Sequence, residues 1–235
     1  EQRESFNEDI SRWDVSNVVY FSRMFYDCNA FNVDISAWDT SSALFMDGMF
    51  SFAYRFDQNL SQWDLSTVAS TARMFEEARL FNHDISSWDT RRVTDMSSMF
   101  YNAKVFDQDI SSWDVSQVRD MTNMFKRAAT FHHDIGGWDV SSVTSMAGMF
   151  AYATSFNQSL SQWETYSVTT MANMFENADL FNQDLSSWST TLVTDMSSMF
   201  SGADAFNGDI GGWDVRRVTT LEYMFFYATS FDRSL

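Results

Sequence analysis

The stretch FDQDISSWDVSQVRDMTNMFKRA, Phe106 to Ala128, decides how the whole chain is read. Moving by 25 residues in either direction meets it again, without an insertion or a deletion. Phe6, Phe31, Phe56, Phe81, Phe106, Phe131, Phe156, Phe181, Phe206 and Phe231 form one column. The nine tryptophans, from Trp13 to Trp213, fill another and occur nowhere else. Met24-Phe25 recurs up to Met224-Phe225, and the six remaining methionines, Met46, Met96, Met121, Met146, Met171 and Met196, share one more column. About nine copies of one unit predict one structure per unit, each copy burying its apolar side chains against its neighbours.

Within the unit, Val93, Met96, Met99, Phe100 and Ala103 follow one another at spacings of three, three, one and three. That spacing matches one face of a helix, and the Asp14 and Ser16 columns supply oxygen side chains suited to its start. The expectation is a short helix from Ser16 to Asp27 and at each equivalent place. The segment from Phe6 to Val15 sets Ile10, Trp13 and Val15 among Asn, Asp and Ser, which predicts a short strand and a turn. Ile10 and Trp13 are three apart, so a bend between them is required if both face inward. The fold expected is therefore an α/β solenoid: a leucine-rich-repeat-like right-handed coil of about nine units, each with one short strand in a stacked parallel sheet and one short helix.

The 235 residues carry a net charge of -17, which argues against a nucleic-acid partner, since binding to phosphate backbones rests on lysine and arginine. One cysteine, Cys28, excludes an intrachain disulfide and a four-thiolate metal site. No apolar run approaches the roughly 20 residues that cross a bilayer, and no signal peptide is evident. The chain starts and stops in mid-unit, at Glu1 and Leu235, so residues 1–235 read as a single repeat domain, a piece of a larger protein without its end caps.

The unit Phe-Asn-x-Asp-Ile-Ser-x-Trp-Asp-Val-Ser-x-Val-Thr-x-Met-x-x-Met-Phe-x-x-Ala, nearly intact at Phe106 to Ala128, resembles the mycoplasma-lipoprotein-type surface repeat of unknown function, a relative of the BspA-like leucine-rich repeats. The resemblance covers Phe6 to Leu235. It implies a leucine-rich-repeat-like coil in a secreted or cell-surface protein, and it carries over no catalytic residue.

The residues themselves also give no sign of an enzyme. Serines abound, but none has a paired base or a nucleophile-elbow context, and no glycine-rich phosphate loop occurs. The expectation is a non-catalytic, surface-presenting domain for adhesion or protein binding, with a protein or glycan ligand and no cofactor. Variation between units marks the positions free of the core. The candidate contacts are the basic pairs Arg91-Arg92 and Arg216-Arg217 and the aromatics just after Met-Phe: Tyr26, Phe52, Tyr101, Tyr152, Phe226 and Tyr227.

Two alternatives to that function stay open, calcium binding and ice or mineral binding, beside a separate metal reading of two histidines. The Asp9 column holds Asp34, Asp84, Asp109, Asp134, Asp184 and Asp209; stacked about 5 Å apart, such carboxylates could share calcium, although the same residue types also tie backbone turns. His132 and His133 beside Asp134 could hold a transition metal, or be exposed histidines without a role. The second alternative is ice or mineral binding by the threonine column Thr94, Thr144, Thr169, Thr194 and Thr219, which is interrupted by Val19, Leu44, Ala69 and Arg119 and is placed on the expected helix.

Overall fold

The computed structural model describes residues 4–234; Glu1 and Leu235, the bounds of the expected domain, lie outside the described residues. The expected helix and strand per unit do not form. Among the described residues there is no helix, and extended pairing is limited to isolated bridges. What forms instead is a stack of coils made of turns. Each residue of one column lies over its counterpart 25 positions on, and the Tyr20 column marks the register. Parallel bridges run from Tyr20 to Phe45, Ser70, Asp95, Asp120, Ser145, Thr170, Asp195 and Thr220, one residue per coil, and these residues number coils 1 to 9. The pairing thus falls inside the segment expected to be helical, and the Phe6 to Val15 segment is unpaired.

The hydrogen bonds give the reason. In coil 1 the N–H groups of Phe21, Arg23, Phe25 and Asp27 donate to Phe45, Asp47, Met49 and Ser51 of coil 2, at 2.8–2.9 Å. The residues between them turn back on their own coil: Met24 donates to Phe21, Tyr26 to Arg23 and Cys28 to Phe25. Peptide groups therefore alternate between pointing along the stack and pointing around it. A helix sends every N–H along its own axis, so it is excluded. The turn Phe21–Met24 has a positive φ of 59° at its third residue, Arg23, and the turn Phe25–Cys28 has 58° at Asp27. That backbone sign ends any helix of L-residues.

The same geometry recurs without exception. All the positive φ values fall in the Arg23 and Asp27 columns, and only Gly48, Gly148 and Gly202 among them are glycines. Further turns are closed by Trp13 N–H to Ile10, Val18 to Val15 and Phe31 to Cys28. The first of these is the bend that the Ile10–Trp13 spacing demands. A run of turns three residues wide brings a side chain inward at each corner, so it shows the spacing of a helical face.

The core is the set of invariant columns. Phe31 to Phe181 and Trp38 to Trp188 are buried, with the rings of adjacent coils parallel; Phe31 and Phe56 lie 5.9 Å apart at 4°, and Trp88 and Trp113 6.1 Å apart at 7°. Within a coil, Phe25 stacks on Phe31 at 3.9 Å. Each fully buried aromatic contributes several kcal/mol, about 3–5 by the cost of truncation to alanine.

Candidate functional site

The polar columns have structural work. The side-chain oxygen of Asn7 accepts the N–H of Asn32 at 2.8 Å, and the pattern repeats from Asn32 to Asp57, Asp57 to Asn82, Asn82 to Asp107 and Asp107 to His132. It resumes from Asn157 to Asn182, Asn207 and Asp232. The residue after this column reaches back to it, as Gln58 Nε2 does to Asn32 and Gln183 Nε2 to Asn157.

The residues read as possible calcium ligands are caps of their own turns. Asp9, Asp34, Asp84, Asp109, Asp134, Asp184 and Asp209 each accept the N–H two residues on, at 2.8–3.0 Å. The serine hydroxyl, then its N–H, hold Asp9, Asp34 and Asp109 below the ordinary carboxylate range; for Asp84 and Asp184 the N–H leads. Among the described residues no three His, Cys, Asp or Glu side chains converge as a metal site would require. His132 and His133 stack on each other at 5.4 Å and face Asp107, with Nδ1 and Nε2 at 3.0 and 3.7 Å from its Oδ1.

The threonine column, expected on a helix, precedes the bridge column. Its hydroxyls extend the stack's bonding: Thr144 Oγ1 donates to Arg119 O, Thr169 to Thr144 and Thr194 to Thr169.

The basic pairs sit in shallow depressions five coils apart, Arg91 and Arg92 with Ser66 and Thr67, and Arg216 and Arg217 with Thr191 and Leu192. One arginine of each pair is held by its own coil. Arg91 Nε and Nη2 clasp Asp89 at 2.9 and 2.6 Å, and Arg216 clasps Asp214 at the same distances. The clasp pulls the Asp214 carboxyl down to about 2. Arg92 and Arg217 are exposed and enter no ion pair among the described residues.

The candidate aromatics separate into three groups. Phe226 and Tyr227 are exposed on coil 9. Tyr101 and Tyr152 are half-buried; the Tyr152 hydroxyl donates to Glu176 Oε1 at 3.0 Å and Arg127 lies over its ring. Tyr26, exposed, and Phe52, half-buried, meet edge to face at 5.6 Å and form one wall of a groove.

That groove, of about 620 Å³, crosses coils 1 to 4. Arg23, Gly48 and Arg73, one column on three successive coils, line it together with Ser51, Ala72, Asp47, Glu76, Asp95 and Ser97. Arg23 and Arg73, at the positive-φ corners of their turns, are exposed. Sequence reasoning picked out Tyr26 and Phe52 but missed Arg23, Gly48 and Arg73. The trace was present: this column reads Arg, Gly, Arg, Ser, Asn, Gly, Asn, Ser and Tyr, rich in the residues that tolerate left-handed backbone.

The family model described as a Mycoplasma protein of unknown function, DUF285, matches the chain over residues 1–88, 74–170 and 159–235. No curated protein matches it. No helix among the described residues is long and apolar enough to cross a membrane.

Proposed function

This chain belongs to that repeat family of unknown function, DUF285, which it matches from end to end, and from that premise we propose that it is a non-catalytic stack whose groove over coils 1 to 4 binds another protein. One observation carries the reading. The groove over coils 1 to 4 is lined by columns that differ from coil to coil, whereas the buried columns barely change. Residues free of packing are available for recognition. The mixture of tyrosine, phenylalanine and arginine there is the composition of protein contact surfaces. A secreted or cell-surface setting, with adhesion as its outcome, accords with the family resemblance.

The test is a binding screen of the purified 235-residue chain on immobilised proteins and glycans, repeated with Tyr26→Ala and Arg23→Ala. Protein ligands lost with both substitutions support the reading. Silence on every protein, or ligands indifferent to both substitutions, sinks it.

A further inference from the structure

Resting on that reading, the geometry points to a carboxylate of the partner protein, seated in the notch over Gly48 between the guanidinium groups of Arg23 and Arg73. Four observations converge. The notch is open: a side-chain carbon at Gly48 would meet only Arg23 Cγ at 3.5 Å and Ser51 Cβ at 3.6 Å. At Gly148, the other glycine of this column, the corresponding space is taken by the amide oxygen of Asn123 from the preceding coil. Coil 2 therefore lacks the filling that coil 6 has at the same position.

The cations beside the notch are uncommitted. Arg23 and Arg73 are exposed, enter no ion pair among the described residues, and stand two coils apart, about 10 Å at the spacing of parallel backbones. Arg23 makes only a long contact with the Tyr26 ring, 6.0 Å from its centroid. By contrast, Arg79, Arg91 and Arg216 are all neutralised by acids of their own coils.

The acids of the groove are already bonded within the stack. Asp47 accepts the hydroxyls of Ser22 and Ser70, Glu76 accepts Ser51 Oγ at 3.0 Å, and Asp95 accepts the N–H of Ser97 at 2.8 Å. The charged donors left for an incoming group are the two guanidiniums, whose fork matches a carboxylate. Tyr26 and Phe52 supply an apolar wall beside them, so the carboxylate fits best on a segment that also carries an aromatic side chain.

The probe is a fluorescein-labelled peptide amide, Gly-Ser-Phe-Glu-Phe, followed by fluorescence polarisation. The same peptide with Gln or Lys in place of Glu, and the Gln peptide with a free C-terminal carboxylate, separate a side-chain carboxylate from a terminal one. The carboxylate-bearing peptides are expected to bind, and the amidated Gln and Lys peptides to bind at least about tenfold more weakly, the value of one charged hydrogen bond. Arg23→Ala and Arg73→Ala should each weaken the Glu peptide by a similar factor.

Gly48→Arg is the sharper test. The column already carries arginine at φ 59° in Arg23 and Arg73, so the backbone accepts it, and an unchanged thermal midpoint checks this. The substitution adds positive charge but fills the notch, so binding should be lost. Stronger binding of the Glu peptide to Gly48→Arg would overturn the site in favour of diffuse charge attraction. Equal binding of the amidated Gln peptide would overturn it too, while leaving the protein-binding reading in place.

Discussion

The indole N–H of Trp63 donates to the backbone carbonyl of Ile35, 28 residues earlier and one coil away, at 3.1 Å. The same bond recurs from Trp38 to Ile10 and from Trp113 to Ile85, through to Trp213 and Leu185. Its acceptor is the carbonyl that also closes the turn to the tryptophan of its own coil, so one oxygen joins the turn to the stack. An interior carbonyl in an aromatic core has no water to turn to.

Trp113→Phe keeps most of the stacked ring area but removes the donor, and should lower unfolding free energy by about 1–3 kcal/mol. Trp113→Ala should lose about 3–5 kcal/mol. Trp13 is 55% exposed in coil 1, and Trp13→Phe should shift the urea midpoint little. Equal effects at Trp13 and Trp113 would show that the indole bond does not hold the coils.

The turn corners make a second expectation. Gly148 has φ 63°, a backbone that valine resists strongly and asparagine adopts, as Asn123 and Asn173 do in the same column at 56° and 58°. Gly148→Val should therefore be less stable than Gly148→Asn by about 1–2 kcal/mol. Both variants displace the Asn123 amide, so their difference in urea midpoint isolates the backbone.

These corners also explain what could and could not be read from the chain. The invariant columns announced the 25-residue unit, its register and its buried side. The spacing of Val93, Met96, Met99 and Ala103 is ambiguous, because a turn three residues wide and a helix both repeat an inward side chain every three to four positions. Proline is absent and glycine is scarce, so of the usual marks of turns only Asn, Asp and Ser were present, residues that also cap helices. Left-handed positions are filled instead by Arg73, Glu77, Phe52 and Tyr152, where inter-coil hydrogen bonds outweigh a local preference. The groove was half legible for the same reason: Tyr26 and Phe52 stood out as aromatics in variable columns, while Arg23 and Arg73 became neighbours only once Gly48 was seen between them.

Acid should act on the turn caps. Asp9, Asp14, Asp34, Asp39, Asp84, Asp109, Asp139 and Asp184 are held below the ordinary carboxylate range, chiefly by the serine two residues on, and Asp89 and Asp214 by Arg91 and Arg216. A carboxyl with a lower pKa in the folded chain binds protons more readily once unfolded. Its contribution is present above the unfolded value, near 4, and is lost as pH falls through the folded value. The thermal midpoint should hold from neutral pH to about 4 and decline toward 2. Asp179 runs the other way, its carboxyl raised by burial and by Asp204, and opposes the trend at one position. A midpoint that rises on acidification from 4 to 2 would contradict the caps' role.

Because each coil contacts only its neighbours, the stack should tolerate loss of a whole unit. Excising residues 131–155 joins Thr130 to Phe156 and places Phe156 over Phe106, the relation Phe131 now has with Phe106 at 6.1 Å. The Asn-type ladder improves at the join, since His132, which offers no side-chain oxygen to Asn157, is replaced by Asn157 directly above Asp107. The shortened chain should fold, keep its near-ultraviolet tryptophan signal, and lose only a part of its stability, as expected of nearest-neighbour repeats. Excising residues 131–143 instead removes about half a coil and sets Phe columns against polar ones, so that chain should not fold. If both deletions proved equally damaging, the 25-residue register would not be what holds the coils in place.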